Sequence, residues 1–488
     1  MKKYIYIIAI LLAFTSCKKF LDVKPQSEID KNELFSTENG FKEALNGVYN
    51  HCAGQYLYGG YLTFSSLDIM GQNYTFTDVN SQRIAAFDFT YARLRSDSQT
   101  IWEEAYRGIA NCNNILIAME ANKSLFTANN YALIKGEALA LRAYLHFDML
   151  RLFAPSYASK PGGKGIPYVT TVTTNNTPFS LTSVVLDKAI ADLTEAKRLL
   201  ADSDPILSSA YVVGYPSEEI ATETDNPNLF LQNRRHRMNY YSVCGELARV
   251  YLYRSDYANS LLNANIVINA GKFRFTDVSD IVATDVQKKD RIFYKEILTG
   301  WYVPNAKDML NVLFSSNIPQ YGLTVDKLDE IYERSTVGAD DYRYKYLFLR
   351  TEQKMQGKDV AVLQKYVVNS TPLTNLHPLM APAIRLLEMY YIAAESSYDT
   401  DPGLAVAYFN YARQRRGINT NITGVPSRED FINLLLKEAR KEFYGESQIF
   451  YMYKRLNHAV TISSTEVRLP SDDIFVFPLP ANETETNN

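Results

Sequence analysis

Tryptophan is nearly absent from this chain, with 2 residues in 488 beside 36 tyrosines and 24 phenylalanines. Most aromatic surface therefore comes from rings that suit half-wet positions, where one edge can hydrogen-bond. Cysteine is scarce as well. Cys17, Cys52, Cys112 and Cys244 are too few and too widely spaced for a disulfide framework, and no Cys-x-x-Cys occurs. Cys112 and Cys244 fall on apolar helical patterns and read as buried thiols. His51, His146, His236, His377 and His458 never come within ligand spacing of one another, and without a His-Glu-x-x-His no metal site is expected. Neither sign of charge dominates: 51 Lys and Arg against 54 Asp and Glu leave a formal charge of -3, which excludes a broad basic face for nucleic acid. Beyond the extreme N-terminus no apolar run reaches the ~18 residues of a membrane helix, and mean hydropathy is -0.22.

The marks of common enzymes are missing too. There is no Gly-x-Ser-x-Gly elbow. The Lys160-Pro161-Gly162-Gly163-Lys164-Gly165 run is followed by Ile166-Pro167 and so lacks the order of a phosphate-binding loop. The acids are dispersed among the bases, and none is marked by its context as one of a hydrolytic pair. Neither catalysis nor a cofactor is expected.

The N-terminus carries a compartment signal. Met1-Lys2-Lys3 is basic, Tyr4 to Phe14 is apolar, and Thr15-Ser16-Cys17 ends the segment with small residues before a cysteine. This arrangement resembles a bacterial lipoprotein signal, which implies removal of residues 1–16 and lipidation of Cys17. Acyl chains on that cysteine would anchor the chain to a membrane.

Helical periodicity follows. Phe41, Leu45, Val48 and Tyr49 predict a helix over about 37–53, and further helices are predicted near 98–119, 130–152, 183–200, 240–253 and 261–269. Ala138, Ala140 and Ala143 leave one side of the third slim enough for close contact. These pair as helix hairpins, the unit from which superhelical scaffolds are stacked. The Arg234-Arg235-His236-Arg237 run reads as a solvated helix start. Helices resume at 382–396, 402–416 and 427–444, with a short one at 450–456.

Two long segments break this order, 54–97 and 271–367. The first is rich in Tyr, Phe, Gly, Ser and Asn without a sustained period, and reads as a structured loop. Sugar rings stack on flat aromatic faces and hydrogen-bond at their edges. The residues that suit this are Asn73, Tyr74, Phe76 and Arg83 in the first segment and Trp301 and Tyr302, beside Asn305, in the second. Trp301 is the first choice as platform, because Trp102 sits at helical spacing with Tyr106 and Ile109 and reads as core. Tyr74 and Phe76 serve either as ligand contacts or as packing of the loop onto the helices.

Read as words, the helices resemble the SusD/RagB family of outer-membrane lipoproteins from Bacteroidetes. The resemblance rests on Pro382-Ala383-Ile384-Arg385-Leu386-Leu387-Glu388 through Ala394-Glu395, on Phe409-Asn410-Tyr411-Ala412-Arg413-Gln414-Arg415, and on Lys437-Glu438-Ala439-Arg440-Lys441-Glu442-Phe443-Tyr444-Gly445-Glu446. Phe477-Pro478-Leu479-Pro480, Trp102 to Asn113, Gly136 to Phe147 and Phe20-Leu21-Asp22 add to it. Ala439 and Ser447-Gln448-Ile449-Phe450 depart from the pattern. Arg385 and Glu388 are expected to pair on one helix face, and Glu438, Arg440 and Glu442 to tie neighbouring helices together.

The resemblance implies a mainly α fold, a TPR-like stack of helix hairpins with long irregular inserts, forming a single domain over 17–488. It also implies a lipid anchor at the outer membrane facing the exterior, and non-enzymatic capture of a glycan for a SusC-like TonB-dependent transporter. Part of the family serves peptide uptake, so a peptide ligand stays open, as does a structural role without a ligand.

Overall fold

The computed structural model describes residues 31–486, except 174, 217, 219, 315–319, 370–372 and 464. The signal segment and Cys17 lie outside them. Helix α1 (Glu38–Cys52) starts where the Thr37 side chain accepts a hydrogen bond from the Gly40 N–H at 3.1 Å, and buries Phe41, Leu45, Val48 and Cys52 along one stripe. Next come α2 (Ala92–Ala121), α3 (Asn130–Phe153) and α4 (Thr182–Ala201). Helices α5 (Tyr240–Tyr253) and α6 (Tyr257–Asn269) begin at the side-chain caps Asn239 and Asp256. The C-terminal helices are α7 (Leu386–Ser397), α8 (Pro402–Gln414), α9 (Arg428–Glu442) and α10 (Gln448–Leu456).

Each of α2 to α8 packs against the next in this order, so neighbours in sequence are neighbours in space. The chain is mainly helical, and its ribbon of helices is the arrangement expected of stacked hairpins. Helix α3 is buried on every side from Gly136 onward, which accounts for its alanines. Cys52, Cys112 and Cys244 are free and buried. Burial raises the pKa of all three thiols, to about 12 for Cys112 and Cys244.

Three expectations need correction. Residues 382–396 are not one helix: Met380–Arg385 is a strand, and α7 begins only at Leu386. Pro382 lacks an N–H and holds its neighbours extended, so the segment pairs with strand Ile297–Tyr302 instead. The 54–97 segment is not irregular throughout; Tyr61–Phe64, Ser66–Met70 and Val79–Ala85 are short helices within it, and its last residues form the first turns of α2. Arg234 and Arg235 do not form a solvated start. Both are fully buried in a 3-10 turn, Arg234 against Glu137 at 2.7 Å and Asp204 at 2.9 Å. Those carboxylates come from elements distant in sequence, which local patterning does not reveal.

The 271–367 segment, unplaced by periodicity, holds a three-stranded antiparallel sheet of Gly322–Thr324, Lys358–Leu363 and Phe348–Met355. Its hairpin turns at Gln356-Gly357, where both residues take positive φ, 55° and 79°.

The family-like words converge on a buried ionic cluster. Arg385 does not pair with Glu388, whose partner is Arg249 at 2.5 Å. Because Arg385 is the last strand residue, it reaches Glu446 at 2.8 Å and also pairs with Glu442. Arg416 meets Glu296 at 2.7 Å and Glu442 at 2.8 Å, and Arg343 meets Asp341 at 2.7 Å, Glu442 at 2.8 Å and also Glu438. Glu438 and Glu442 therefore do tie helix α9 to its surroundings. Arg440 instead donates to Asn73 Oδ1 at 2.9 Å.

Candidate ligand-binding site

Strand Ile297–Tyr302 alternates as a strand must, so consecutive aromatic residues face opposite ways. Trp301 faces inward and is 4% exposed, while Tyr302 faces outward and is 49% exposed. The indole lies flat on Tyr58, with ring centroids 4.5 Å apart and planes 7° from parallel, and meets the edge of Tyr144 at 5.6 Å. Trp301 is thus a core residue, and of the two rings only its neighbour Tyr302 is exposed. Behind Tyr302 the His236 ring stacks at 5.7 Å and 17°.

Tyr302 stands where two concavities meet. One, of about 490 Å³, brings together parts of both inserts: Tyr302 and Asn305 from the second, and Gly54, Gln55 and Gly59 from the first, with Asn50 of α1. The first insert must turn tightly here. A Cβ on Gly59 would meet the Ala53 carbonyl oxygen at 2.0 Å, so only glycine fits. The other lobe, of about 240 Å³, shares Tyr302 and Pro304 and is bounded by Lys307, Asn375 and His377. His377 Nδ1 lies 2.9 Å from the Pro378 carbonyl oxygen, which places the ring proton there and leaves Nε2 as an acceptor without a protein partner. Burial lowers the pKa of this histidine, so the neutral form persists at physiological pH. No carboxylate lines either lobe among the described residues. The cleft offers the Tyr302 face, side-chain amides and the exposed ammonium of Lys307, while the His377 Nε2 is itself buried.

The remaining expected residues lie elsewhere. Asn73 is fully buried, and its backbone oxygen accepts from the Tyr444 hydroxyl at 3.0 Å. Tyr74 is buried edge-on to Tyr444 at 5.7 Å and donates to Asp68 at 2.5 Å. Burial pushes that carboxyl up to about 7, with the tyrosine hydrogen bond opposing the rise. Phe76 packs edge-on against Tyr321 at 5.8 Å. Asn73 and Tyr74 thus pack the first insert against the C-terminal part, and Phe76 packs it against the second insert. Arg83 is exposed, pairs with Asp88 at 2.7 Å and covers the Tyr91 ring at 4.5 Å. Asn50, Gln55 and His377 were missed. The glycines flanking Gln55-Tyr56 were the available signal, because a tight turn next to an exposed tyrosine marks a built surface.

The helical scaffold thus presents an aromatic, amide-lined cleft at the junction of its two inserts. Residues 19–210 match a family model described as starch-binding and associating with the outer membrane, and residues 350–468 match the SusD family model. Together the two matches span more than half of the sequence, and the chain belongs to the SusD/RagB family. A curated relative, SusD-like protein P38 of Formosa agariphila, is 22% identical over 97% of this chain and 94% of its own length. Among solved structures, a SusD-like carbohydrate binding protein from Bacteroides vulgatus superposes with TM-score 0.72 at 18% identity, covering 92% of this chain and 96% of that one. A SusD superfamily protein from Bacteroides thetaiotaomicron gives 0.71 at 20% identity, covering 92% and 98%. Both share the fold.

Proposed function

We propose that this protein is a non-catalytic lipoprotein of the outer membrane that captures an oligosaccharide or polysaccharide outside the cell and passes it to a SusC-like TonB-dependent transporter. The observation that carries this reading is Tyr302, a half-exposed ring at the junction of two lobes and flanked by Asn305, Asn50 and Gln55. A sugar's C–H face stacks on such a ring while its hydroxyls bond to the amides. Residues 17–488 act as one domain in this reading, supported by an apolar core that includes residues from Phe35 to Phe477. Cys17 carries the lipid. Replacing it by alanine is expected to abolish palmitate labelling, and unchanged labelling would refute the anchor.

The lack of an exposed tryptophan in the cleft favours a second reading, peptide capture, because the amides and Lys307 also suit a peptide backbone. Affinity electrophoresis separates the two. Glycan capture predicts retarded migration of the folded protein through at least one polysaccharide gel. Peptides co-purifying without any retardation would favour the second reading, and neither result would leave a structural role in the transporter.

A further inference from the structure

The two lobes that meet at Tyr302 differ in what they can give a ligand. The larger offers the side-chain amides of Asn50, Gln55 and Asn305, groups that both donate and accept. The smaller is bounded by Lys307 and Asn375, with Lys365 also in its lining and no carboxylate among the described residues. Lys365 is buried and already paired with Glu446. Lys307 is exposed, and no described side chain pairs with its ammonium. Its place does nothing for the fold. Lys307 is the first residue of the helix Lys307–Phe314, the end where the macrodipole disfavours a cation. The acid that suits this end is Asp308, which is exposed and lines neither lobe. Departures from local preference of this kind concentrate at functional positions.

Asn375 is oriented by its neighbours. Its Oδ1 accepts the Asn369 N–H at 2.8 Å, and because a backbone N–H only donates, the amide has one orientation. The donor end, Nδ2, is left without a partner among the described residues. Asn369 is itself held, since its Oδ1 accepts from Arg291 at 3.2 Å and its Nδ2 donates to the Val286 carbonyl at 2.8 Å. Arg291 pairs with no carboxylate among the described residues, so a further positive charge stands behind that wall. The carbonyl of Thr374, which also lines this lobe, is taken by the Gln287 amide at 3.0 Å. Donors are thus left over and acceptors are used up. A carboxylate or sulfate, which only accepts, fits this set better than a hydroxyl, which must also donate.

Resting on the reading of the cleft as a glycan site, we infer that the ligand is an acidic saccharide. A neutral sugar unit stacks on Tyr302, and the carboxylate or sulfate of an adjacent unit sits in the smaller lobe against Lys307 Nζ and Asn375 Nδ2. The amides of the larger lobe hold the hydroxyls on the other side.

The test is affinity electrophoresis through gels of polygalacturonate and alginate, which carry carboxylates, of carrageenan, which carries sulfate, and of neutral starch and xylan. The chain has a formal charge of -3, so net charge does not draw it to a polyanion and retention reports the cleft. Retardation is expected in at least one acidic gel and should fade as salt rises from about 0.05 to 0.5 M, where the screening length falls to roughly 4 Å. The gel that retards tells carboxylate from sulfate. In calorimetric titration with an oligosaccharide cut from that polymer, affinity is expected to fall about 3- to 10-fold in Lys307→Gln and to be kept in Lys307→Arg. Lys307 is exposed, so both variants fold, with circular dichroism as the check. Equal affinity of wild type and Lys307→Gln for the acidic oligosaccharide would overturn the inference. Retardation by neutral gels alone, lost in Tyr302→Ala, would overturn it and leave glycan capture standing, whereas no retardation in any gel would remove both.

Discussion

Glu442→Ala is expected to cost about 3–5 kcal/mol of folding stability, the scale of breaking a buried ion pair from one side. The carboxylate accepts from Arg343 at 2.8 Å, from Arg416 at 2.8 and 2.9 Å, and from Arg385. All three guanidiniums are buried, so truncation leaves part of their charge without a counterpart in a place water does not reach. Global stabilities usually lie at ~5–15 kcal/mol, which makes this a large fraction. Truncating Arg107 in its surface pair with Glu104 is expected to cost less than about 1 kcal/mol, because Arg107 is 63% exposed and screened. Denaturant unfolding of both variants measures the contrast.

The same residue predicts a pH dependence. Burial alone would raise the Glu442 pKa, but Arg416 and Arg385 outweigh it and hold the group well below its ordinary value of 4.5. A carboxyl with a lowered folded pKa contributes stability that is complete above its unfolded value and lost as pH falls toward the folded one. Wild-type stability should therefore decline below about pH 4.5, and the decline should be shallower in Glu442→Ala.

The second large effect is Trp301→Ala, with an expected loss of about 3–5 kcal/mol from the cavity and the lost ring contacts. Its indole packs in a three-ring cluster with Tyr58 and Tyr144, and the gap could not close without moving α3, which carries Tyr144. Ligand affinity per folded molecule should change little, because the ring does not reach the cleft. A variant that kept its full stability and lost binding would restore Trp301 as the platform.

Some helices could be read from the sequence even where they are buried on every side. The 240–253 pattern matched α5 at both ends because an asparagine cap opens it and the apolar period runs unbroken to Tyr253. Arg385 reads as helical in the sequence because the five apolar or small residues before it carry no period that separates a doubly buried strand from a helix. Only the pairing with Ile297–Tyr302 decides it, and that partner lies far away in sequence. The site was half legible for a similar reason. Composition pointed to the inserts that border the candidate cleft and to the Trp301-Tyr302 dipeptide, but which of two adjacent rings faces solvent depends on strand register. Asn73 and Tyr74 looked like ligand contacts because the groups that bury them, Arg440 and Tyr444, come from the other end of the chain.

The cleft itself is tested most directly by calorimetric titration of wild-type protein and Tyr302→Ala with an oligosaccharide cut from whichever polysaccharide retards the protein. Removing the exposed ring is expected to weaken binding roughly tenfold or more with stability nearly unchanged. An equal affinity in the two proteins would contradict the assignment of the site to Tyr302.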